Sequence, residues 1–262
     1  MTTPSWKIPP GVARGTWDYV QSERIAADYD SFLAGHPLLE LDLKFVEDHL
    51  PRPAEEQGSD RLRIADFGCG TGRVSRHFSP LGHSLVNVDL SESMLAELQK
   101  KTEHPDQNTL VHQNLAELDI PEDSIDLGVC LFSSYGMIRG KQHRLNFLRA
   151  TKTALRPGGR LILHAHNRYQ RLWDPKGPIW LLRSWLSSWG KKEEFGDDVY
   201  TYRGLPTMFL HIFSKDELRR ELNESGFLNL SFYPLSPNSD CLAKPSQWNS
   251  LRAGGFLVLA DV

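Results

Sequence analysis

The residues of this chain best suited to chemistry are the run Ala65-Asp66-Phe67-Gly68-Cys69-Gly70-Thr71-Gly72 and a second acid, Asp89. Glycines at this spacing permit a tight turn and let a ligand approach the backbone closely. The pattern is not the dinucleotide fingerprint G-x-G-x-x-G, because position 73 is Arg. It is not a P-loop either, which needs Gly-Lys-Ser/Thr. An acid two residues before the first glycine opposes a pyrophosphate and suits a cationic ligand. Asp89 closes the next apolar run, where an acid can accept from ribose hydroxyls. The ligand these residues fit carries positive charge and a ribose. Cys69, Cys130 and Cys241 form no CxxC pair and no zinc-type cluster with histidine. They read as free thiols of a reducing cytoplasm, with no metal.

These residues need strands and helices to hold them. Leu62 to Phe67 is a short apolar run ending at the glycines, and Arg73 to Phe78 is a helix stopped by Pro80 and Gly82. Ser84 to Val88, Thr109 to Asn114, Ile125 to Phe132 and Arg160 to His166 read as further strands. Ser91 can cap a helix running through Lys101, and Arg144 to Leu155 is another helix. Ser214-Lys215-Asp216-Glu217 is a capping box opening a helix that ends at Gly226. Leu228 to Tyr233 and Phe256 to Val262 read as two last strands. Strands alternating with helices imply a parallel sheet covered on both faces. Before this rhythm starts, Ile25 to Leu33 and Leu38 to Leu50 read as helical, followed by a linker from Pro51 to Asp60.

With these elements in place, the chain resembles the class I S-adenosylmethionine-dependent methyltransferases. The ordered set is Asp66-x-Gly68-x-Gly70-x-Gly72, Asp89 in Val-Asp-Leu-Ser-Glu-Ser-Met-Leu, Asn114, Asp126 to Phe132, and Leu155-Arg156-Pro157-Gly158-Gly159. The resemblance implies an α/β, Rossmann-like, seven-stranded mostly parallel sheet with helices on both faces and the last strand antiparallel. It implies S-adenosyl-L-methionine as cofactor. Gly68, Cys69, Gly70 and Gly72 would then pack on its methionine part and ribose, with Asp66 near the amino group and Asp89 on the ribose diol. Asn114 and Leu115 would meet the adenine edge, where the family often has Asp, with Leu90 and Met94 completing the cofactor set. Leu131 and Phe132 would lie near the sulfonium. In many relatives an N-terminal helix closes over the cofactor, and Trp17, Tyr19 and Tyr29 are the aromatic candidates here.

The acceptor half is less defined. Tyr135 follows strand four, and His164 and His166 share one face of strand five, with His166 nearer its end. His211 lies just before the capping box. Tyr135, His166 and His211 are the expected catalytic residues, and Tyr169, Tyr202 and Arg203 the expected substrate contacts. The segment 167–213 is too long for a plain connection and reads as an inserted substrate lid. The division expected is therefore a helical prelude and cofactor cap over 1–60 and a methyltransferase domain over 61–262.

Composition bounds the partners. The 262 residues carry 40% hydrophobic and 24% charged residues and a net charge of −3. That excludes a disordered chain and disfavours nucleic acid as a partner. Met1 to Pro10 has no apolar core of a signal peptide, and no run is long enough to span a membrane. Yet four of the seven tryptophans lie in Trp173–Trp189, and Arg168 to Lys192 holds six bases against one acid. Leu182, Trp185, Leu186 and Trp189 share one helical face. That face suits packing on the domain, an apolar substrate wall or a peripheral membrane contact through 177–190. The leading function is methyl transfer to an O, N or C atom of a small or medium-sized acceptor, apolar or quinone-like in one version. One alternative is a tRNA methyltransferase, because Tyr202-Arg203-Gly204 and Leu210 to Phe213 loosely resemble wobble-uridine enzymes. Another is a non-catalytic protein that binds the cofactor.

Overall fold

The computed structural model describes residues 5–52, 61–190 and 193–262. The expected linker from residue 53 onward, the first four residues and Lys191 and Lys192 lie outside the described residues. The strands of the main sheet are β1 (Arg63–Phe67), β2 (Ser84–Asp89), β3 (Asn108–His112), β4 (Ile125–Cys130), β5 (Leu155–His166), β8 (Leu228–Pro234) and β9 (Gly255–Asp261). Their order is β3-β2-β1-β4-β5-β9-β8. The first five are parallel, and β9 runs antiparallel between β5 and β8. The expected seven-stranded sheet and its antiparallel final strand are both present.

The sequence forms this sheet because its central strands are apolar on both sides, while the edge strands β3 and β8 are partly exposed. Every residue of β4 is buried, as parallel strands covered on both faces require. One face is covered by α4 (Pro37–Asp48) and α5 (Arg73–Phe78), whose Leu38, Phe45, Val74 and Phe78 pack on Ile64, Leu127 and Ile162. The other is covered by α7 (Lys141–Ala154) and α9 (Lys215–Glu224), whose Phe147, Leu148 and Leu218 pack on Phe67, Leu161 and Leu163. Leu161 and Leu163 therefore face one layer and Ile162 the other, as strand geometry dictates. Strand order reverses between β1 and β4, which opens a crevice beyond their carboxyl ends.

Local signals fix several helix ends. The Ser91 hydroxyl accepts from the Met94 amide at 3.4 Å and starts α6 (Glu92–Lys101). Ser214 and Glu217 form the reciprocal capping box of α9. The third strand stops earlier than its sequence suggests. Asn114 leaves the strand and caps a short turn, its side-chain oxygen accepting from the Ala116 amide at 3.2 Å.

The prelude and the long insertion meet each other. Within the prelude lie α1 (Arg14–Val20), α2 (Glu23–Ala27) and α3 (Tyr29–Leu33). The insertion supplies α8 (Gly177–Ser188) and a hairpin of β6 (Asp197–Tyr202) and β7 (Leu205–His211). Arg203 and Gly204 at its tip have φ of 51° and 84°, the paired positive values of a two-residue primed turn. Helix α1 lies so close to β7 that a Cβ on Gly15 would stand 1.7 Å from the Thr207 carbonyl oxygen. Tyr19, Val20, Ile25, Met94 and Met208 close a small core between prelude, α6 and hairpin.

Helix α8 departs from two of the expected roles. It buries Gly177, Leu181 and Ser184, while Leu182, Trp185, Leu186 and Trp189 face outward. The tryptophan-bearing face neither packs on the domain nor walls the cavity described below.

Candidate functional site

The glycine loop leaves β1 and is hooked onto β2. The Gly68 and Cys69 amides donate to the Val88 carbonyl at 2.8 and 3.1 Å. Gly68, Gly70 and Gly72 all take positive φ, of 79°, 54° and 83°, which other residues adopt only under strain. The two outer glycines are also sterically required. A Cβ at Gly68 would stand 2.6 Å from Ser134 Oγ, and one at Gly72 would stand 2.4 Å from Leu98 Cγ. Gly70 instead faces open space, with only Tyr29 Cε1 within reach at 3.7 Å.

Asp89 organises the loop. One carboxylate oxygen accepts from the Gly70 amide at 2.8 Å and the other from the Ser91 amide at 2.8 Å. Burial pushes its pKa up, and the surrounding amides partly offset this. Asp66 is buried at the end of β1, and among the described residues no hydrogen bond holds its carboxylate. Burial pushes its pKa up to about 7, opposed by Arg73 and reinforced by Asp89 and Asp42.

Both acids line a cavity of about 300 Å³ at the crevice. Of the residues expected to hold a cofactor, Asp66, Gly68, Cys69, Gly70, Asp89, Leu90, Met94, Asn114, Leu115, Leu131 and Phe132 all line it. Gly72 does not, since it sits behind the loop against Leu98. Tyr19 and Tyr29 of the prelude line the cavity and Trp17 does not. The prelude is latched to the loop at Asp30, which pairs with Thr71, Arg76 (3.3 Å) and Lys101 (3.2 Å).

Sequence reasoning missed several lining residues. Gly11 and Val12 reach the cavity because Val12 bridges to Ile138 and the Asn114 side-chain Nδ2 donates to the Pro10 carbonyl at 2.8 Å. His36 and Glu40 come from the start of α4. His36 stands edge-on to Phe132 at 5.3 Å, and its Nδ1 accepts from the Leu38 amide at 3.3 Å. A neutral His36 therefore carries its proton on Nε2. The one sequence signal was helix-start chemistry, His36 followed by Pro37.

The residues expected to be catalytic lie elsewhere. Tyr135 is fully buried, stacked on Phe213 at 5.2 Å, and donates to Glu221 Oε2 at 2.5 Å. Burial and Glu221 push its pKa well up. The positive φ of Phe132 (50°) and Ser133 (66°) turns the chain inward after β4 and carries Tyr135 into the core. His166 lies against His164 at 5.0 Å, and burial pulls its pKa down to about 4. His211 is buried between Asp197 at 2.7 Å and Glu217 at 3.1 Å. Burial lowers its pKa against the pull of Asp197.

None of the expected substrate contacts lines the cavity either. Tyr169 begins the turn after β5, its amide donating to Asn167. Tyr202 packs on Phe32 and Tyr19 at 5.9 and 6.1 Å. Arg203 pairs with Asp28, donates to the Ile25 carbonyl at 3.3 Å and lies over the Phe32 ring at 4.3 Å. Arg203 thus clasps the hairpin tip to the prelude.

Glu194, His211 and Glu217 offer ligand atoms within 4.8 Å of one another. Their charge is already matched. Arg144 pairs with Glu194 at 2.6 Å and Glu221 at 2.7 Å, and Arg168 pairs with Glu217. Such buried networks fix geometry more than they stabilise.

The site thus has two buried acids at a glycine turn and apolar walls at Leu90, Met94 and Leu115. An unpaired buried carboxylate beside a second acid fits a ligand with a cation and hydroxyls, attached to an apolar ring. Comparison with known proteins gives the same class. Residues 64–159 match the sequence model of the family described as a methyltransferase domain. YqeM of Bacillus subtilis is 26% identical over 145 residues, 55% of each chain. The match thus spans about half the length of that relative. The ubiquinone/menaquinone biosynthesis C-methyltransferase UbiE of Vibrio vulnificus is 27% identical over 181 residues, covering 66% of this chain and 67% of its own. Among solved structures, the CcbJ methyltransferase of Streptomyces caelestis superposes with a TM-score of 0.62 at 16% identity, over 90% of this chain and 95% of its own. The glycopeptide N-methyltransferase MtfA, solved with S-adenosylmethionine, gives 0.57 at 15% identity, over 84% and 92%.

The fold, the chemistry of the lining and the methyltransferase-domain match agree on S-adenosylmethionine as the cofactor. Residues 64–159 match a methyltransferase domain, and the fold is the one found in solved S-adenosylmethionine-dependent methyltransferases.

Proposed function

We propose that the protein transfers the methyl group of S-adenosylmethionine to a small or medium-sized acceptor with an apolar, quinone-like or phenolic ring. The supporting observation is the continuity of one cavity. The same cavity is lined by the acids Asp66 and Asp89 and by the apolar Leu33, Leu39, Leu131 and Phe132. The relatives named for quinone biosynthesis suggest the ring type. Arg203 in the tRNA-enzyme-like segment is held by Asp28, which favours a small acceptor over RNA. The free thiols Cys69, Cys130 and Cys241 suit a cytoplasmic setting.

When bound, the cofactor supplies an electrophilic methyl group on its sulfonium. The chain's part in this reading is positioning and exclusion of water. Asp66 takes the amino group and Asp89 the ribose hydroxyls. Residues 1–60 act as the cofactor cap, with Tyr19 and Tyr29 over the cavity. The insertion 167–213 holds that cap through its hairpin rather than covering the substrate with α8. His36, presenting Nε2–H beside Phe132, orients the acceptor oxygen. Tyr135, His166 and His211 hold the fold, and none acts as a base.

The test is transfer of a radiolabelled methyl group to a panel of quinols and catechols, with tRNA in parallel. The reading predicts label in a phenolic or quinol acceptor, with a raised acceptor KM in His36→Ala and an unchanged cofactor Kd. Label in tRNA alone, or in none of the panel while the cofactor binds, would overturn it.

A further inference from the structure

Helix α8 leaves an unpartnered face of unusual composition. Ile179, Leu182, Trp185, Leu186 and Trp189 are between 43% and 66% exposed. At 100° per residue they occupy one arc, opposite the buried Leu181 and Ser184. Trp185 and Trp189 stand edge to face at 4.6 Å, forming one aromatic ridge.

The charges around this ridge are of one sign. Of the six bases counted from Arg168 to Lys192, two are internal. Arg168 pairs with Glu217 and Arg171 with Asp198. Lys176 and Arg183 remain exposed, with no carboxylate partner among the described residues. Lys191 and Lys192 follow in the sequence, and 175–192 contains no Asp or Glu.

We propose that α8 is a peripheral docking surface for an anionic phospholipid bilayer. Twelve residues rise about 18 Å, too short to cross a bilayer, so the helix lies in the interfacial plane. Tryptophan rings suit that plane, where one edge meets apolar chains and the indole N–H stays wet. Lys176 and Arg183 would face lipid phosphates, and the acid-free stretch adds no repulsion. A protein partner or second copy has no comparable observation in its favour, since the ridge has neither a groove nor mixed charge. The proposal concerns α8 alone and stands apart from the acceptor reading.

The experiment is co-sedimentation of the whole protein with phosphatidylcholine vesicles, with and without phosphatidylglycerol. Binding is expected only with phosphatidylglycerol, weakening as salt rises. The double variant Trp185→Asp/Trp189→Asp should bind at least about tenfold more weakly. Arg183→Glu should also weaken binding. Because these side chains are exposed and do not line the cavity, cofactor affinity in all variants should stay unchanged, which separates lost docking from lost folding. No binding to phosphatidylglycerol vesicles at low salt would overturn the proposal, as would equal binding by the double variant. So would a wild-type dimer in sedimentation velocity that the double variant abolishes, since this would assign the face to a second copy.

Discussion

Asp66 is a buried carboxylate with no hydrogen-bond partner among the described residues, and this makes its protonation sensitive to what fills the cavity. With its pKa pushed up to about 7, Asp66 in the cofactor-free protein is a mixture of acid and carboxylate at neutral pH. Only the carboxylate attracts a cationic amino group. Cofactor affinity should therefore rise about tenfold between pH 6 and pH 8, and Asp66→Asn should flatten this dependence. Calorimetry across that range checks both. The stability effect has the opposite sign. An unfolded Asp titrates near 3.9, so the folded protein binds the extra proton between there and about 7. Relative to Asp66→Asn, the empty wild type should lose thermal stability as pH rises through that window. Equal melting shifts in the two proteins would contradict the assigned burial cost.

At the scale of elements, the sheet was legible because its signals are local. The apolar run of β4, the Ser91 cap and the Ser214–Glu217 box each lie within a few residues. The glycine-and-acid lining of the cavity was legible for the same reason, since glycines and acids end successive strands. The acceptor half was not. Tyr135 follows β4 as an active-site residue could, yet two positive φ values turn it into the core. The cap depends on pairings distant in sequence, such as Arg203 with Asp28, Val12 with Ile138 and Gly15 with Thr207. No periodicity announces these. Gly15 gives a direct test of the α1–β7 approach. A methyl there meets backbone on β7, which cannot rotate away. Gly15→Ala should destabilise the protein by about 1–3 kcal/mol, even though alanine is the better helix former. A denaturant midpoint at or above wild type would show that the two elements are not in contact in solution.

For the molecule as a whole, the bland net charge of −3 conceals an uneven distribution. Asp30, Glu40, Asp66 and Asp89 line the cavity together with Arg73 and Arg76, while α8 exposes Trp185, Trp189 and Arg183. No helix among the described residues is long and apolar enough to cross a membrane. The prelude, the glycine loop and the hairpin form one enclosure, tied at Asp30 and at Arg203. Its purpose in this account is to hold S-adenosylmethionine with its methyl group toward Phe132 and His36. Calorimetric titration of the purified protein with S-adenosylmethionine tests that claim most directly. One site per chain is predicted, with a Kd in the range of about 1 μM to 1 mM usual for enzyme ligands. Asp89→Ala should weaken it at least tenfold, about 1.4 kcal/mol. No binding by the wild type, or an unchanged Kd in Asp89→Ala, would contradict the account.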